Sequence, residues 1–120
     1  MLNLDTHIFL HALTGDLTSK ERRILAGDQW SISAIVLWEI VKLAQLGRIT
    51  VDVNDAEFIQ LLSRVHTWPI TLDICKATRD LDFRSDPADE LIAATSVFHG
   101  IPLVTRDGRI RKSRRVPLAG

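Results

Sequence analysis

Four acidic residues stand where an acid is conspicuous. Asp5 ends the apolar run Leu2-Asn-Leu4 and is followed at once by a helical pattern. Glu39 interrupts the most apolar segment of the chain, Ala34 to Leu46. Asp89 lies in the opening turn of a segment that starts at Pro87, and Asp107 follows the apolar stretch Ile101 to Thr105. Read as a strand feeding a helix, the first stretch puts Asp5 at a strand's C-terminal end, the edge where open α/β sheets place their sites. In a right-handed parallel sheet the other three acids can meet it there. Carboxylates gathered in one pocket raise each other's proton affinity unless cations neutralise them. An all-oxygen donor set suits Mg²⁺ or Mn²⁺ rather than Zn²⁺. Mg²⁺ keeps waters and binds through few carboxylates plus substrate phosphate, which points to phosphodiester hydrolysis by an in-line water.

Each acid also has a plainer use. Asp5 can cap the helix after it. Glu39 can lie on a wet stripe beside Lys42 at i+3, although an ionised carboxylate in so apolar a helix is costly unless paired or coordinated. With Pro87 at the first helical position, Asp86 falls at N-cap and Asp89 at N3, both favoured by the helix dipole. Asp107-Gly108 is a turn signal. The functional reading rests on the four together.

Other candidates carry less. His7 and His11 share a helix face at i and i+4, a possible metal pair, but no third ligand accompanies them. Cys75 has no His partner and reads as a buried small residue. There is no Gly-rich phosphate loop and no Ser nucleophile elbow. Arg106, Arg109, Arg111, Lys112, Arg114 and Arg115 form one basic run, either a solvated face or a grip on a phosphate backbone beside Asp107. Trp30, Trp38 and Trp68 read as core.

The elements that must position these residues alternate. Strands are expected at Leu2–Leu4, Gln29–Ser33, Trp68–Leu72 and Ile101–Thr105, with Val116–Leu118 a poor edge strand. Helices are expected from Thr6 to Gly15, after the capping box Thr18-Ser-Lys-Glu21, over Ala34–Leu46 behind Ser33, from Asn54 to about Val65, from Asp73 to about Leu81, and over Ala88–His99. A short turn covers Asp107 to Lys112. This pattern predicts a three-layer α/β/α sandwich with a parallel sheet of four to five strands. The Ala34–Leu46 helix, apolar nearly all round, is expected to be buried on the sheet and against a partner subunit.

The 120 residues suffice for one domain, 1–120. With 46% apolar and 25% charged residues, disorder is not expected. Net charge is zero, so no global field attracts nucleic acid, and any polyanion must meet a local patch. A single cysteine suits a reducing cytoplasm. No apolar stretch reaches membrane-spanning length, and the N-terminus lacks the features of a signal peptide.

Four segments, Leu4-Asp-Thr-His7, Ser33-Ala-Ile-Val-Leu-Trp-Glu39-Ile, Asp86-Pro-Ala-Asp-Glu-Leu-Ile-Ala-Ala94 and Leu103-Val-Thr-Arg-Asp107, resemble in order and spacing the successive motifs of PIN-domain ribonucleases. VapC-type toxins of bacterial and archaeal toxin–antitoxin pairs are the nearest type. The resemblance implies an endoribonuclease whose acids Asp5, Glu39, Asp89 and Asp107 bind Mg²⁺ or Mn²⁺, with Asp86 in support. Thr6 and Thr105 match hydroxyl residues beside the first and last acids. With Arg106, Arg109 and Arg111, they are candidates for holding the RNA substrate. A small cognate antitoxin and a homodimer are the implied partners. Two departures stand out: Ala88 and Glu90 replace the family's common Phe and Arg, making the site more negative, and Val-Pro-Leu-Ala-Gly120 lacks the usual apolar ending. An RNA-processing nuclease without antitoxin and a non-catalytic binding domain are the rival readings.

Overall fold

A computed structural model describes residues 1–120. In chain order the elements are β1 (Leu2–Leu4), α1 (Thr6–Thr14), α2 (Ser19–Ala26), β2 (Trp30–Ser33), α3 (Ala34–Gln45), α4 (Ala56–Ser63), β3 (His66–Trp68), α5 (Leu72–Ala77), a 3₁₀ turn (Thr78–Asp80), α6 (Pro87–His99), β4 (Leu103–Val104) and α7 (Gly108–Arg111). The strands form one parallel sheet in the order β3-β2-β1-β4. All three residues of β1 are buried, so helices cover both faces of the sheet. The expected α/β sandwich is the fold found. No helix is long and apolar enough to cross a membrane.

Leu4, Ile8, Phe9, Ile32, Ile92, Leu103 and Ile110 are fully buried between the layers. Asn3 is buried with them: its Nδ2 donates to Ile92 O at 3.1 Å and to Ser96 Oγ at 2.9 Å, tying β1 to α6. This tie matters for the site, because β1 ends in Asp5 and α6 begins beside Asp89.

Local chemistry explains the differences from the expected elements. The third strand lies at His66–Trp68, ending before Pro69 instead of continuing to Leu72. Proline removes a ladder donor, and Thr71 caps α5 by accepting from Ile74 N. At the C-terminus a single bridge, Leu103 to Leu118, stands where an edge strand was expected, since Pro117 has no N–H to offer. Asp55, not Asn54, caps α4.

Three burial expectations are corrected. Only Val36 and Ile40 of α3 are buried, while Trp38 (57% exposed), Val41 and Leu46 face outward. The helix packs on the protein along one i, i+4 stripe, and its apolar outer side is bare. Cys75 is exposed, because the short α5 buries Ile74 and turns the next residue out. Trp30 and Trp68 are half-buried: Trp30 Nε1 donates to Leu25 O, and Trp68 stacks on His99 with ring centroids 3.9 Å apart.

Candidate active site

β1 and β4 lie side by side and run parallel, so the residues after them, Asp5 and Asp107, emerge at the same sheet edge. α3 and α6 both begin toward that edge, which carries Glu39 and Asp89 to it. The capping uses foreseen for Asp5 and Asp86 are real, and Asp107, read as a turn residue, caps α7 as well. Asp5 Oδ1 accepts from Thr6 N at 2.8 Å. Asp86 Oδ1 accepts from Asp89 N at 3.1 Å, and Asp107 Oδ1 accepts from Arg109 N and Ile110 N. Each cap occupies one carboxylate oxygen and fixes the side chain's direction, leaving the other oxygen for further work.

Two threonines join three of the acids. Thr105 Oγ1 donates to Asp5 Oδ2 at 2.6 Å and accepts from Asp107 N at 3.0 Å. Thr6 supplies its backbone N–H to Asp5 and its hydroxyl to Glu39 Oε1. The result is an unbroken chain of hydrogen bonds, Glu39–Thr6–Asp5–Thr105–Asp107. Asp89 enters from the other side, its Oδ2 accepting from Ser85 Oγ at 2.9 Å.

The acids also feel one another. Burial raises the Asp5 carboxyl above its ordinary range, against the lowering by Thr105 and Thr6, and Asp107 adds to the rise. Burial likewise raises Glu39, with Asp5 and Asp86 contributing, while His7 draws it down. Asp89 is pushed up to about 6, first by burial and then by the charges of Asp86, Asp5 and Asp107. Residues distant in sequence thus share one negative field that favours a bound positive charge.

No three His, Cys, Asp or Glu side chains are drawn together tightly enough to cage an ion directly. None of the four acids lines the cavities beside Thr18, His7, Asp82, Ala12 or Gln29. An all-oxygen set that shares a field without closing a cage fits a hard divalent cation that keeps part of its water shell. His7 and His11 line a neighbouring cavity of about 570 Å³ with Leu43 and Ile49, without a third ligating partner.

The basic run divides. Arg106 grips both carboxylate oxygens of Glu21 at 2.8 and 2.6 Å and also donates to Asp16 O. Arg109 donates to Arg84 O, and Arg111 donates to Thr105 O and Gly120 O. These three arginines, expected to hold substrate, are exposed and also fasten the chain around the site. The side chains of Lys112, Arg114 and Arg115 are exposed and make no hydrogen bond within the protein. Ser85 escaped the sequence reading, which stopped at Asp86 next to it. A hydroxyl four residues before Asp89 was the available signal.

A family model described as the PIN domain matches residues 3–116. Ribonuclease VapC22 of Mycobacterium tuberculosis is 37% identical over 90 residues, spanning 72% of this chain and 69% of that protein. The solved structure of VapBC2 from Rickettsia felis, bound to a DNA fragment from its promoter, superposes with a TM-score of 0.73 at 20% identity, covering 99% of this chain and 98% of that one. FitAcB from Neisseria gonorrhoeae gives 0.71 at 18% identity, with coverage of 100% and 97%. At such identities the two structures speak for the fold.

Proposed function

The chain belongs to the PIN-domain family, and from that premise we propose that it is a metal-dependent endoribonuclease and the toxin of a toxin–antitoxin pair. The observation that carries this reading is the hydrogen-bonded series Glu39–Thr6–Asp5–Thr105–Asp107, with Asp89 in the same field. The 37% identical relative is named a ribonuclease, which supports RNA as the substrate. Several structural neighbours are toxin–antitoxin complexes, which supports a small antitoxin as the partner.

The PIN nucleases use divalent metal as a family. Mg²⁺ or Mn²⁺ is our assignment here, on the strength of the oxygen-only donor set. Asp5, Asp89 and Asp107 would hold the ion, directly or through water. Bound there, it supplies the positive charge that acidifies water and offsets charge building on the phosphate oxygens. Glu39 has Oε2 without a protein donor and its proton affinity raised by burial, so it can orient the attacking water and receive its proton. Thr6 and Thr105 hold the acids in place. Arg106, Arg109 and Arg111 each hold a partner within the chain, so contact with the RNA backbone falls first to Lys112, Arg114 and Arg115, whose side chains are free of such bonds. Glu39, Asp89 and Asp107 are only half-buried, which leaves the site open to a polymer that crosses it, and zero net charge leaves selectivity to RNA shape or unpaired loops. The bare apolar side of α3, with Trp38, Val41 and Leu46, supports self-association as part of the same reading.

The test is cleavage of a mixed structured-RNA pool in Mg²⁺, in Mn²⁺ and in EDTA, by wild type and by Asp5→Asn. Cleavage that needs both metal and Asp5 is expected. Folded, antitoxin-free protein that cuts nothing under any condition would identify a binding domain instead.

A further inference from the structure

The loop before α6 contains a small hydrogen-bonded clamp. Ser85 Oγ donates to Asp89 Oδ2 at 2.9 Å, while Ser85 N donates to Glu90 Oε2 at the same distance. We infer that Ser85 and Glu90 are positioning residues for Asp89, fixing which of its carboxylate oxygens is presented to the cation. The inference rests on the metal-dependent reading above and adds two residues to it.

The arrangement departs from what a helix start does by default. With Asp86 at N-cap, Asp89 is at N3, the position from which an acidic side chain ordinarily reaches back to the N-cap backbone N–H. Here Asp89 does not make that contact. Its Oδ2 is turned to the Ser85 hydroxyl, and its Oδ1 accepts no hydrogen bond from the protein. The reaching back is done one residue later on the helix and one residue earlier on the loop: Glu90, at N4, accepts the amide of Ser85. Glu90 therefore holds the backbone that aims the hydroxyl, and the hydroxyl holds Asp89.

This gives the acid at position 90 a use. From the sequence, Glu90 looked like one more negative charge at a crowded site. In the structure its carboxylate is folded back onto the loop, half-buried, with an amide donor of its own. Asp89 is anchored at both ends as a consequence, its N–H on Asp86 and its carboxylate on Ser85. A carboxylate held in one rotation offers a lone oxygen without first losing rotational freedom, and partners of this kind tune how well a metal ligand binds.

The measurement is Mn²⁺ affinity by calorimetry on RNA-free protein, paired with the Mn²⁺ dependence of RNA cleavage. Ser85→Ala is expected to weaken Mn²⁺ binding about 10-fold, and to leave KM for RNA unchanged at saturating Mn²⁺. Ser85→Thr, which keeps a hydroxyl, should bind close to wild type. Glu90→Ala should shift Mn²⁺ binding in the same direction as Ser85→Ala. Glu90→Gln, which keeps the acceptor oxygen, should not. Thermal melts of each variant check the fold, and both positions are only half-buried. Ser85→Ala that binds Mn²⁺ like wild type overturns the clamp. So does Glu90→Gln behaving as Glu90→Ala does, since charge and not contact would then be the cause. Wild type that neither binds Mn²⁺ nor cuts RNA overturns the nuclease reading itself, an outcome distinct from failure of the clamp alone.

Discussion

Thr105 Oγ1 lies 2.6 Å from Asp5 Oδ2, joining residues 100 positions apart at the ends of the neighbouring strands β1 and β4. The same hydroxyl receives the N–H of Asp107. One side chain therefore sets the spacing between the acid after β1 and the acid after β4. Thr105→Val keeps the shape and removes the hydroxyl. Asp5 would lose a donor that opposes the rise caused by burial, so its proton affinity should climb further. We expect lower turnover at pH 7 and an acid limb of the rate profile shifted to higher pH. A hydrogen bond to a charged group is worth about 1.5–3 kcal/mol, so the loss should reach about 10-fold or more in turnover at limiting metal. Thr105→Ser should recover most of it. A Thr105→Val enzyme with an unshifted profile would mean that Thr105 serves packing only.

Asp89 links the site to pH. Its carboxyl sits at about 6 in the folded, metal-free protein, against 3.8 as the ordinary value. The folded state thus holds this proton more tightly than the unfolded chain does. The resulting stability is fully present below 3.8 and is lost as pH rises through about 6. Urea unfolding of metal-free protein between pH 4 and 7 should show a decline that is smaller in Asp89→Asn, where only the raised Asp5 and Glu39 remain. Mn²⁺ binds the ionised form, so it should restore wild-type stability at pH 7 and do little for the Asn variant. A wild-type to Asp89→Asn difference that is flat in pH would contradict this picture.

Arg106 is expected to matter for folding and not for RNA. Its double contact with Glu21 fastens the start of α2 to the segment after β4, and it holds the Glu21 carboxyl down to about 2. Arg106 is exposed and Glu21 half-buried at the surface, so solvent screening holds the contribution to about 1 kcal/mol or less. A depressed carboxyl contributes stability above its ordinary 4.5, and that stability disappears as pH falls through about 2. Arg106→Ala should lower Tm slightly at pH 7 and leave KM for RNA unchanged. Lys112→Ala together with Arg114→Ala should do the reverse, raising KM and flattening its salt dependence. A large KM effect of Arg106→Ala alone would show that the Glu21 contact opens on binding.

Much of this was legible in the residues, for physical reasons that differ by element. Capping is local chemistry, so Thr18 with Glu21, Ser33, and Asp86 with Pro87 announced their helices directly. The alternation of apolar runs with helical patterns was enough for a parallel sheet. Strand limits were less visible, because a strand such as Leu103–Val104 is defined by its neighbours β1 and Leu118 and not by its own side chains. The acids could be singled out, since an acid beside an apolar run is costly without a purpose. What they touch could not: Thr105 and Asp5 are brought together only by the order of strands in the sheet. The contacts of the basic run were hidden for a similar reason. Its charges are evident in sequence, but whether an arginine meets solvent or a carbonyl such as Gly120 O depends on where the C-terminus lies. Asn3 passed as an ordinary strand residue, yet its amide makes the side-chain hydrogen bonds that join β1 to α6.

Helix α3 offers the sharpest contrast between two neighbouring apolar residues. Ile40 is fully buried, packed beside Val36 in the core, and Trp38 is 57% exposed two positions earlier. Helical geometry places them on opposite sides, since residues two apart do not share a face. Ile40→Ala removes buried methylenes and leaves a cavity, so it should cost about 2–5 kcal/mol in unfolding free energy. Trp38→Ala should change the monomer's stability by no more than about 0.5 kcal/mol, as surface substitutions do. Urea unfolding at low protein concentration separates the two. If the bare face of α3 is a contact between copies of the chain, Trp38→Ala should also shift sedimentation toward the monomer at concentrations where wild type associates. Ile40→Ala should not do so until it unfolds. A Trp38→Ala variant as unstable at low concentration as Ile40→Ala would mean that the tryptophan is buried in the monomer, and that α3 packs on two sides as its composition alone suggested.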